Sequence, residues 1–219
     1  MSAVKAASIP LASDRAKALA LTPVSRETAE RLDRFVDLLL AWQKTTNLIS
    51  PATVPRLWTR HVADSLQLLA LAPSAKVWVD FGSGGGFPGL PIACALAETP
   101  GVAVHLVESN GKKASFLREA ARVTQALAIV HAVRGEKFVD SYAGPVDVIA
   151  ARAVAPLNLL LSMTFPLLKE GVLGIFPKGQ DVGTELTEAT KYWNISYKVA
   201  SSRTDPGGHI VIIDALARR

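Results

Sequence analysis

Cysteine is almost absent from this chain. The single Cys94 rules out an intramolecular disulfide and any zinc site built on cysteines. Long apolar runs are missing too: the most apolar stretches, such as residues 157–161, fall far short of the roughly 20 residues a bilayer-spanning helix needs. Near the start, Lys5, Pro10, Asp14 and Arg15 interrupt anything resembling a secretory signal. There is no internal repeat and no long polar tract of the kind that keeps a chain unfolded. Acidic residues are the scarcer charge, 19 against 24 Lys and Arg, which leaves a net charge of +5. That balance suits a polyanionic partner, and equally an ordinary basic enzyme. The expectation is a cytoplasmic, monomeric protein with no metal site and no membrane association.

What is present points to an α/β chain. Its 219 residues are 49% hydrophobic, enough for one medium domain with a small extra lobe. Residues 1–72 read as a helical region that packs on a main domain of residues 73–219. Within residues 25–44, Leu32, Phe35, Val36, Leu39 and Trp42 share one helical stripe. Residues 53–71 predict one further helix, with Leu57, Val62, Leu66 and Leu69 inward, broken by Pro73 and Ser74. Seven strands are expected beyond it, at 77–81, 102–108, 128–133, 146–151, 172–176, 195–200 and 209–215. Helices fall between the first five strands and again at 182–193. Such alternation, with nearly continuous apolar strands, predicts a mostly parallel sheet covered on both faces. The short turn Asp205-Pro206-Gly207-Gly208 predicts an antiparallel hairpin of the last two strands at the sheet edge.

The most informative stretch is Gly82-Ser83-Gly84-Gly85-Gly86-Phe87-Pro88-Gly89, after one predicted strand and before a predicted helix. Glycines let a ligand approach the backbone, and Pro88 or Pro91 fits a first helical turn. The helix N-terminus then offers free N–H groups to a carboxylate or phosphate. Glu108 follows at the end of the next strand, where a carboxylate can accept from two ribose hydroxyls. Together these features point to a cofactor containing a nucleoside. Gly84, Gly86 and Gly89 satisfy the dinucleotide pattern G-x-G-x-x-G, but S-adenosylmethionine sites use a similar loop and acid. The short chain, the lack of a further substrate domain and the terminal hairpin favour S-adenosylmethionine. They also favour a class I methyltransferase fold, Rossmann-like, with a mostly parallel seven-stranded sheet and an N-terminal helical extension.

A more specific resemblance rests on an ordered set of blocks. They are Asn47-Leu48-Ile49-Ser50, Arg60-His61-Val62-Ala63-Asp64-Ser65, the run from Asp80 to Gly89, and Glu108-Ser109-Asn110-Gly111-Lys112-Lys113. Phe116-Leu117, Arg134-Gly135-Glu136, Ala151-Arg152-Ala153 and Lys178-Gly179 follow. In this order, from about residue 30 on, they resemble the glucose-inhibited division protein B family, bacterial methyltransferases that modify guanine N7 in 16S rRNA. The first two dozen residues carry no such match, and the region after Gln180 only a loose one. The resemblance implies S-adenosylmethionine as cofactor, and as partner 16S rRNA in the small ribosomal subunit or an assembly intermediate. It places Gly82 and Phe87, with Asp80 and Gly84 in the same block, at the cofactor. Gly135 and Glu136 fall where the family contacts adenine, and Arg152 at a further cofactor-binding position. Glu108 is assigned from the ribose argument and the fold resemblance.

The chemistry so implied fits the residues. Guanine N7 carries an in-plane lone pair and no proton, so it attacks a methyl group without a general base. Catalysis then rests on holding N7 in line, helped by negative or dipolar groups near a product that becomes cationic. After the fourth strand the chain reads Ile149-Ala150-Ala151-Arg152-Ala153-Val154-Ala155-Pro156, with none of the Asn-Pro-Pro-aromatic or Asp-Pro-Pro-aromatic runs used to grip an exocyclic amine. Cys94 reads as a small core residue, not a nucleophile. An arginine on guanine O6 and N7 would cover the reacting atom, so Arg152 is expected to hold the methionine carboxylate or an RNA phosphate. Arg60, His61 and Asp64 form one polar face, which either caps the cleft over substrate or docks the helical region. With Lys112 and Lys178 they are the candidates for positioning substrate. Arg56, Lys112, Lys113, Arg118, Arg134 and Lys137 are candidates for RNA phosphate contact, with Lys178 a further one. Phe87 and Trp58 have the shape to stack on a base, though packing is the commoner role. Two other readings stay open. One is a nicotinamide-dependent oxidoreductase, weakened by the lack of a Tyr-x-x-x-Lys pair; the other is a non-catalytic RNA-binding protein.

Overall fold

The computed structural model describes residues 3–219, with side chains from Leu11 onward; Met1 and Ser2 of the expected helical region lie outside the described residues. Seven strands form one sheet: β1 (Val77–Phe81), β2 (Ala103–Val107), β3 (Ala128–His131), β4 (Val148–Ala150), β5 (Leu173–Lys178), β6 (Trp193–Ser201) and β7 (His209–Arg218). Their order is β3-β2-β1-β4-β5-β7-β6. The first five are parallel, with Asp80 in register with Leu106 on one side and Ala150 on the other. β7 runs antiparallel between β5 and β6, so the terminal hairpin joins the sheet through its second strand and leaves β6 at the edge. Each expected strand is present, within a few residues at its ends.

Parallel strands must be covered on both faces, and alternate residues supply the two surfaces. Trp78, Val104, Leu106 and Ile175 face one apolar cluster; Val79, Val107, Ile149 and Phe176 face the other. The first face is covered by α2 (Arg26–Gln43), α4 (Gly89–Ala95) and α5 (Gly111–Thr124), the second by α6 (Gly135–Ser141), α7 (Leu157–Leu168) and α8 (Val182–Ala189). α2 buries the expected stripe of Leu32, Phe35, Val36 and Leu39, with Trp42 half-buried. Its start is capped by Ser25, whose hydroxyl accepts from the Thr28 N–H at 3.1 Å. Phe35 packs against Phe87 and Phe116, with ring centroids 5.2 and 6.3 Å apart. Burial of each such side chain contributes about 1.5–3 kcal/mol. α8 ends earlier than the predicted 193, because Trp193 opens β6 and its indole donates to Asn158. Among the described residues, no helix is long and apolar enough to cross a membrane.

Residues 51–71 are not the single α-helix expected from their apolar spacing. Pro51–Arg56 is a 3-10 turn, Trp58–Ala63 a π-helix, α3 (Asp64–Leu66) a brief α turn and Gln67–Leu71 a second 3-10 turn. Pro51 and Pro55 have no N–H to give an α-helical ladder, which explains the irregular start. The wide turn is secured from outside, by Asp14 on α1 (Ala3–Leu21). One Asp14 oxygen accepts from the N–H groups of Trp58 at 2.8 Å and Thr59 at 3.1 Å, and the other from the Thr59 hydroxyl. These donors would otherwise be orphans at a helix start. Arg15 lies over the Trp58 ring, 5.3 Å from its centroid, and pairs with Asp33 on α2. Leu57, Val62 and Leu66 are buried as predicted, and Leu69 partly. Asp14→Ala removes a cap from two backbone donors, so denaturant unfolding should show a loss of about 2 kcal/mol, against a smaller loss in Asp14→Asn.

Candidate functional site

Two cavities open along the edge where the parallel strands end. The first, about 600 Å³, runs from the glycine loop to the connection between β3 and α6. The second, about 520 Å³, lies against the ends of β4 and β5 and the start of β7. Arg60, Arg152, Ala153 and Val154 line both. Each is of the size that holds a small ligand.

The glycine loop forms the floor of the first cavity. The chain leaves β1 through Gly82, whose φ is 77°. A side chain there would be strained, and its Cβ would sit 2.7 Å from Val154 Cγ2. The N–H groups of Gly82 and Ser83 bond the Val107 carbonyl at the end of β2, at 3.0 and 2.9 Å. Glu108 then fixes the loop. Its Oε2 accepts from the Gly84 N–H at 2.9 Å, and its Oε1 from the Asn110 N–H at 2.7 Å. Each oxygen keeps a lone pair that further hydroxyl donors can use. Across the cavity, Gly135 lets the tip of the Phe81 ring approach the backbone, where any Cβ would overlap the ring. Asp80, predicted at the cofactor, lies under the loop and outside the cavity wall. Its Oδ2 accepts from the Gly89 N–H at 2.9 Å, while Oδ1 finds no partner among the described residues. Burial pushes its carboxyl up to about 7, against the opposing effect of the Gly89 hydrogen bond.

Arg152, just past β4, is the hub of the shared wall. Its guanidinium donates to the Arg60 carbonyl at 3.0 Å and to Asp64 Oδ2 at 3.2 Å, and lies 2.6 Å from His61 Nδ1. An arginine has no acceptor, so His61 Nδ1 must be the unprotonated nitrogen, and Nε2–H donates to Thr53 Oγ1 at 2.8 Å. Burial, then the charges of Arg152 and Arg60, lower the His61 imidazole to about 3. Burial also lowers Arg152, opposed by its ion pair with Asp64. Phe87 lies beneath, its ring 5.2 Å from the guanidinium and 5.0 Å from the imidazole. Asp64 Oδ1 accepts from Gln67 at 2.8 Å and from Thr204 of the β6–β7 turn at 2.7 Å. Both oxygens of Asp64 are thus occupied inside the protein.

The remaining predicted residues divide by place. Gly82, Gly84, Phe87, Glu108, Gly135, Glu136, Arg152, Arg60 and His61 all line the first cavity, as do Lys113 and Arg134 at its mouth. Asp64 and Lys178 line the second. Lys112, Arg56, Arg118 and Lys137 are exposed and line neither cavity. Lys178 is not a free cation: it pairs with Glu185 at 2.7 Å. Trp58 is 2% exposed and serves as packing. Cys94 is buried in α4, and burial pushes its thiol up to about 12, consistent with an inert core position. Sequence reasoning missed Thr53, Val154, Met163 and Glu185, whose roles as wall or partner carry no local pattern.

A neutral, buried His61 makes stability depend on pH. Its native value of about 3 lies below the ordinary 6.5, so the unfolded chain binds a proton that the native chain refuses. The contribution is complete above pH 6.5 and is lost as pH falls toward 3. Urea unfolding at pH 7 and pH 5 should show the parent losing on the order of 2 kcal/mol more than His61→Gln, which keeps an acceptor and a donor but does not titrate. Equal losses would remove His61 from the account.

Comparison with known proteins agrees with this architecture. Residues 28–209 match the family model GidB, described as rRNA small subunit methyltransferase G. The ribosomal RNA small subunit methyltransferase G of Bradyrhizobium sp. strain BTAi1 is 60% identical over 99% of this chain and 97% of its own length. That of Nitrobacter hamburgensis is 58% identical over 95% of this chain and 80% of its own. Among solved structures, the O-methyltransferase from Bacillus cereus in complex with SAH aligns with a TM-score of 0.57 at 15% identity, covering 82% of this chain and 90% of that one. TomG from Streptomyces achromogenes, an O-methyltransferase in complex with SAM, gives 0.56 at 12% identity over 83% and 89%. At such identities the likeness shows a shared fold, that of the class I methyltransferases. Sequence and fold together establish that the chain belongs to the family of small-subunit ribosomal RNA methyltransferases G, the GidB family.

Proposed function

We propose that the protein methylates guanine N7 in 16S rRNA, within the small ribosomal subunit or an assembly intermediate, using S-adenosylmethionine and acting as a cytoplasmic monomer. The observation that carries the reading is the wall between the two cavities. Arg60, Arg152, Ala153 and Val154 offer no side-chain proton acceptor there, and His61 and Asp64 beside them have their acceptors committed to Arg152, Gln67 and Thr204. The wall itself supplies no base, which suits guanine N7, an atom with no proton to lose. The family of methyltransferases leaves the nicotinamide reading without support.

The residues present suit the cofactor. A Cβ at Gly84 would meet nothing nearer than the Gly82 carbonyl at 3.8 Å, so the floor is open above the loop. Glu108 would accept the ribose hydroxyls on its remaining lone pairs, and Gly135 and Glu136 would flank the adenine. Arg152 uses three of its five N–H donors internally, which leaves two for a carboxylate or phosphate. When bound, S-adenosylmethionine supplies an electrophilic methyl group on a cationic sulfur. Asp80, unpaired on one oxygen under the loop, adds negative charge below that site when ionised. Lys113 and Arg134 at the mouth, with exposed Arg56, Lys112, Arg118 and Lys137 outside it, would hold phosphates and set the register of the RNA.

Calorimetry should show S-adenosylmethionine binding weakened at least about tenfold in Glu108→Ala, the loss of hydrogen bonds to a charged acceptor. Labelled methyl transfer to small subunits lacking the modification, followed by nucleoside analysis, should give 7-methylguanosine from 16S rRNA, and none with Gly82→Asp. Binding of the cofactor without transfer to subunits, intermediates or naked rRNA would overturn the substrate. No binding would overturn the cofactor as well.

A further inference from the structure

We infer that the second cavity seats the target guanine and that Lys178 and Glu185 read its Watson–Crick edge; this rests on the guanine-N7 reading above. Lys178 is the last residue of β5, and its side chain is 9% exposed. Its ammonium donates to the Ala155 carbonyl at 3.0 Å and to Glu185 Oε2 at 2.7 Å, leaving one N–H. Glu185 Oε2 also accepts from the Leu157 N–H at 2.6 Å, so that oxygen is filled and Oε1 is uncommitted. The pair therefore offers one N–H donor beside one carboxylate oxygen, whose two lone pairs can take both the N1–H and a 2-amino N–H of a purine. Guanine presents O6, an acceptor, beside the N1–H and 2-amino donors. Adenine presents the reverse, a 6-amino donor beside the N1 acceptor. The pair matches guanine and opposes adenine.

Position supports the match. His209 stands in register with Lys178 across the sheet and lines the same cavity, with a buried Nδ1 that has no partner among the described residues. The cavity shares the Arg60–Arg152–Val154 wall with the cofactor cleft. A guanine held by its Watson–Crick edge leaves N7, on another edge of the purine, free to react at that wall. In the reaction the N7 lone pair becomes the N–CH3 bond, the former S–CH3 pair stays on sulfur, and the purine takes the positive charge. Its N1–H then becomes a stronger donor, so the Glu185 hydrogen bond tightens in the transition state. It contributes to rate as well as to choice of base.

The test uses small subunits reconstituted with guanosine or inosine, which lacks the 2-amino group, at the target position. Parent, Glu185→Gln and Lys178→Gln are compared for kcat, for KM toward subunits, and for calorimetric S-adenosylmethionine affinity. Glu185→Gln retains an oxygen for Leu157 and Lys178 but loses the free acceptor. It should lose about 100-fold or more in kcat on guanosine, with KM and cofactor affinity within about threefold of the parent. Its guanosine-to-inosine rate ratio should fall toward one, while the parent prefers guanosine by at least about tenfold. Lys178→Gln should lose rate on both bases, since both carry O6. A Glu185→Gln rate or base ratio equal to the parent's, while the parent forms 7-methylguanosine, overturns this inference alone. A loss of kcat matched by an equal loss of cofactor affinity assigns the pair to the scaffold and also overturns it. A parent that methylates no guanine overturns both readings.

Discussion

A guanidinium cannot shed its charge, and Arg152 has been carried out of water to a side-chain exposure of 16%. Leaving such a buried charge without its partner costs about 3–5 kcal/mol, so the surroundings must supply acceptors. They come from one short stretch of chain: the Arg60 carbonyl, the His61 imidazole and the Asp64 carboxylate. Asp64 in turn is held by Gln67 and by Thr204 of the terminal hairpin. One cation thereby ties together the end of β4, the helical segment before the sheet and the turn between β6 and β7. Both cavities take this group as a wall, so their shapes are set by a charge that must be paired. Whether the pair adds net stability over an apolar substitute is a separate matter; its geometry is what the site uses.

The helical region does more than cover the sheet. Its core residues Leu32, Phe35 and Val62 belong to the same apolar cluster as Trp78 and Leu106 of the strands. Its polar residues shape the cleft. Gln43 accepts from the N–H groups of Leu48 and Ile49 at 3.0 and 3.1 Å and donates to the Ile49 carbonyl at 2.7 Å, closing the loop after α2. That loop presses on the glycine turn closely enough that a Cβ at Gly85 would lie 2.8 Å from the Leu48 carbonyl. With Asp14 holding the π-helical turn, the first third of the chain builds one side of the first cavity.

Strand pattern was the legible part of the fold, because a buried parallel sheet writes itself as short apolar runs separated by turn residues. The glycine turn after β1 was legible for a like reason: its backbone conformation, with a φ of 77° at Gly82, restricts residue type locally. The helical reading of residues 53–71 failed because apolar spacing of three to four residues does not distinguish α from a chain that tightens and widens around prolines. Asp14 was invisible, since its partners Trp58 and Thr59 lie more than forty residues away. Lys178 was found as a basic residue in a block shared with the family, but not its pairing with Glu185, which depends on how α8 lands beside β5. Asp80 was expected at the ligand; its place beneath the loop follows from the Gly89 N–H, which only the folded turn brings to it.

The insertion of β7 between β5 and β6 bears on the timing of assembly. Strands β1 to β4 and the loops after them, which carry most of the first cavity, precede residue 155 in the chain. The second cavity needs Ser202, Gly208 and His209, and Asp64 receives Thr204 from a sequence separation of 140 residues. Contacts so distant form late and only against a chain already collapsed. During synthesis the first cavity can take shape first, and the second is closed by a segment made later. A chain made only as far as β4 would therefore hold most of the first cavity while the second still lacked its far wall.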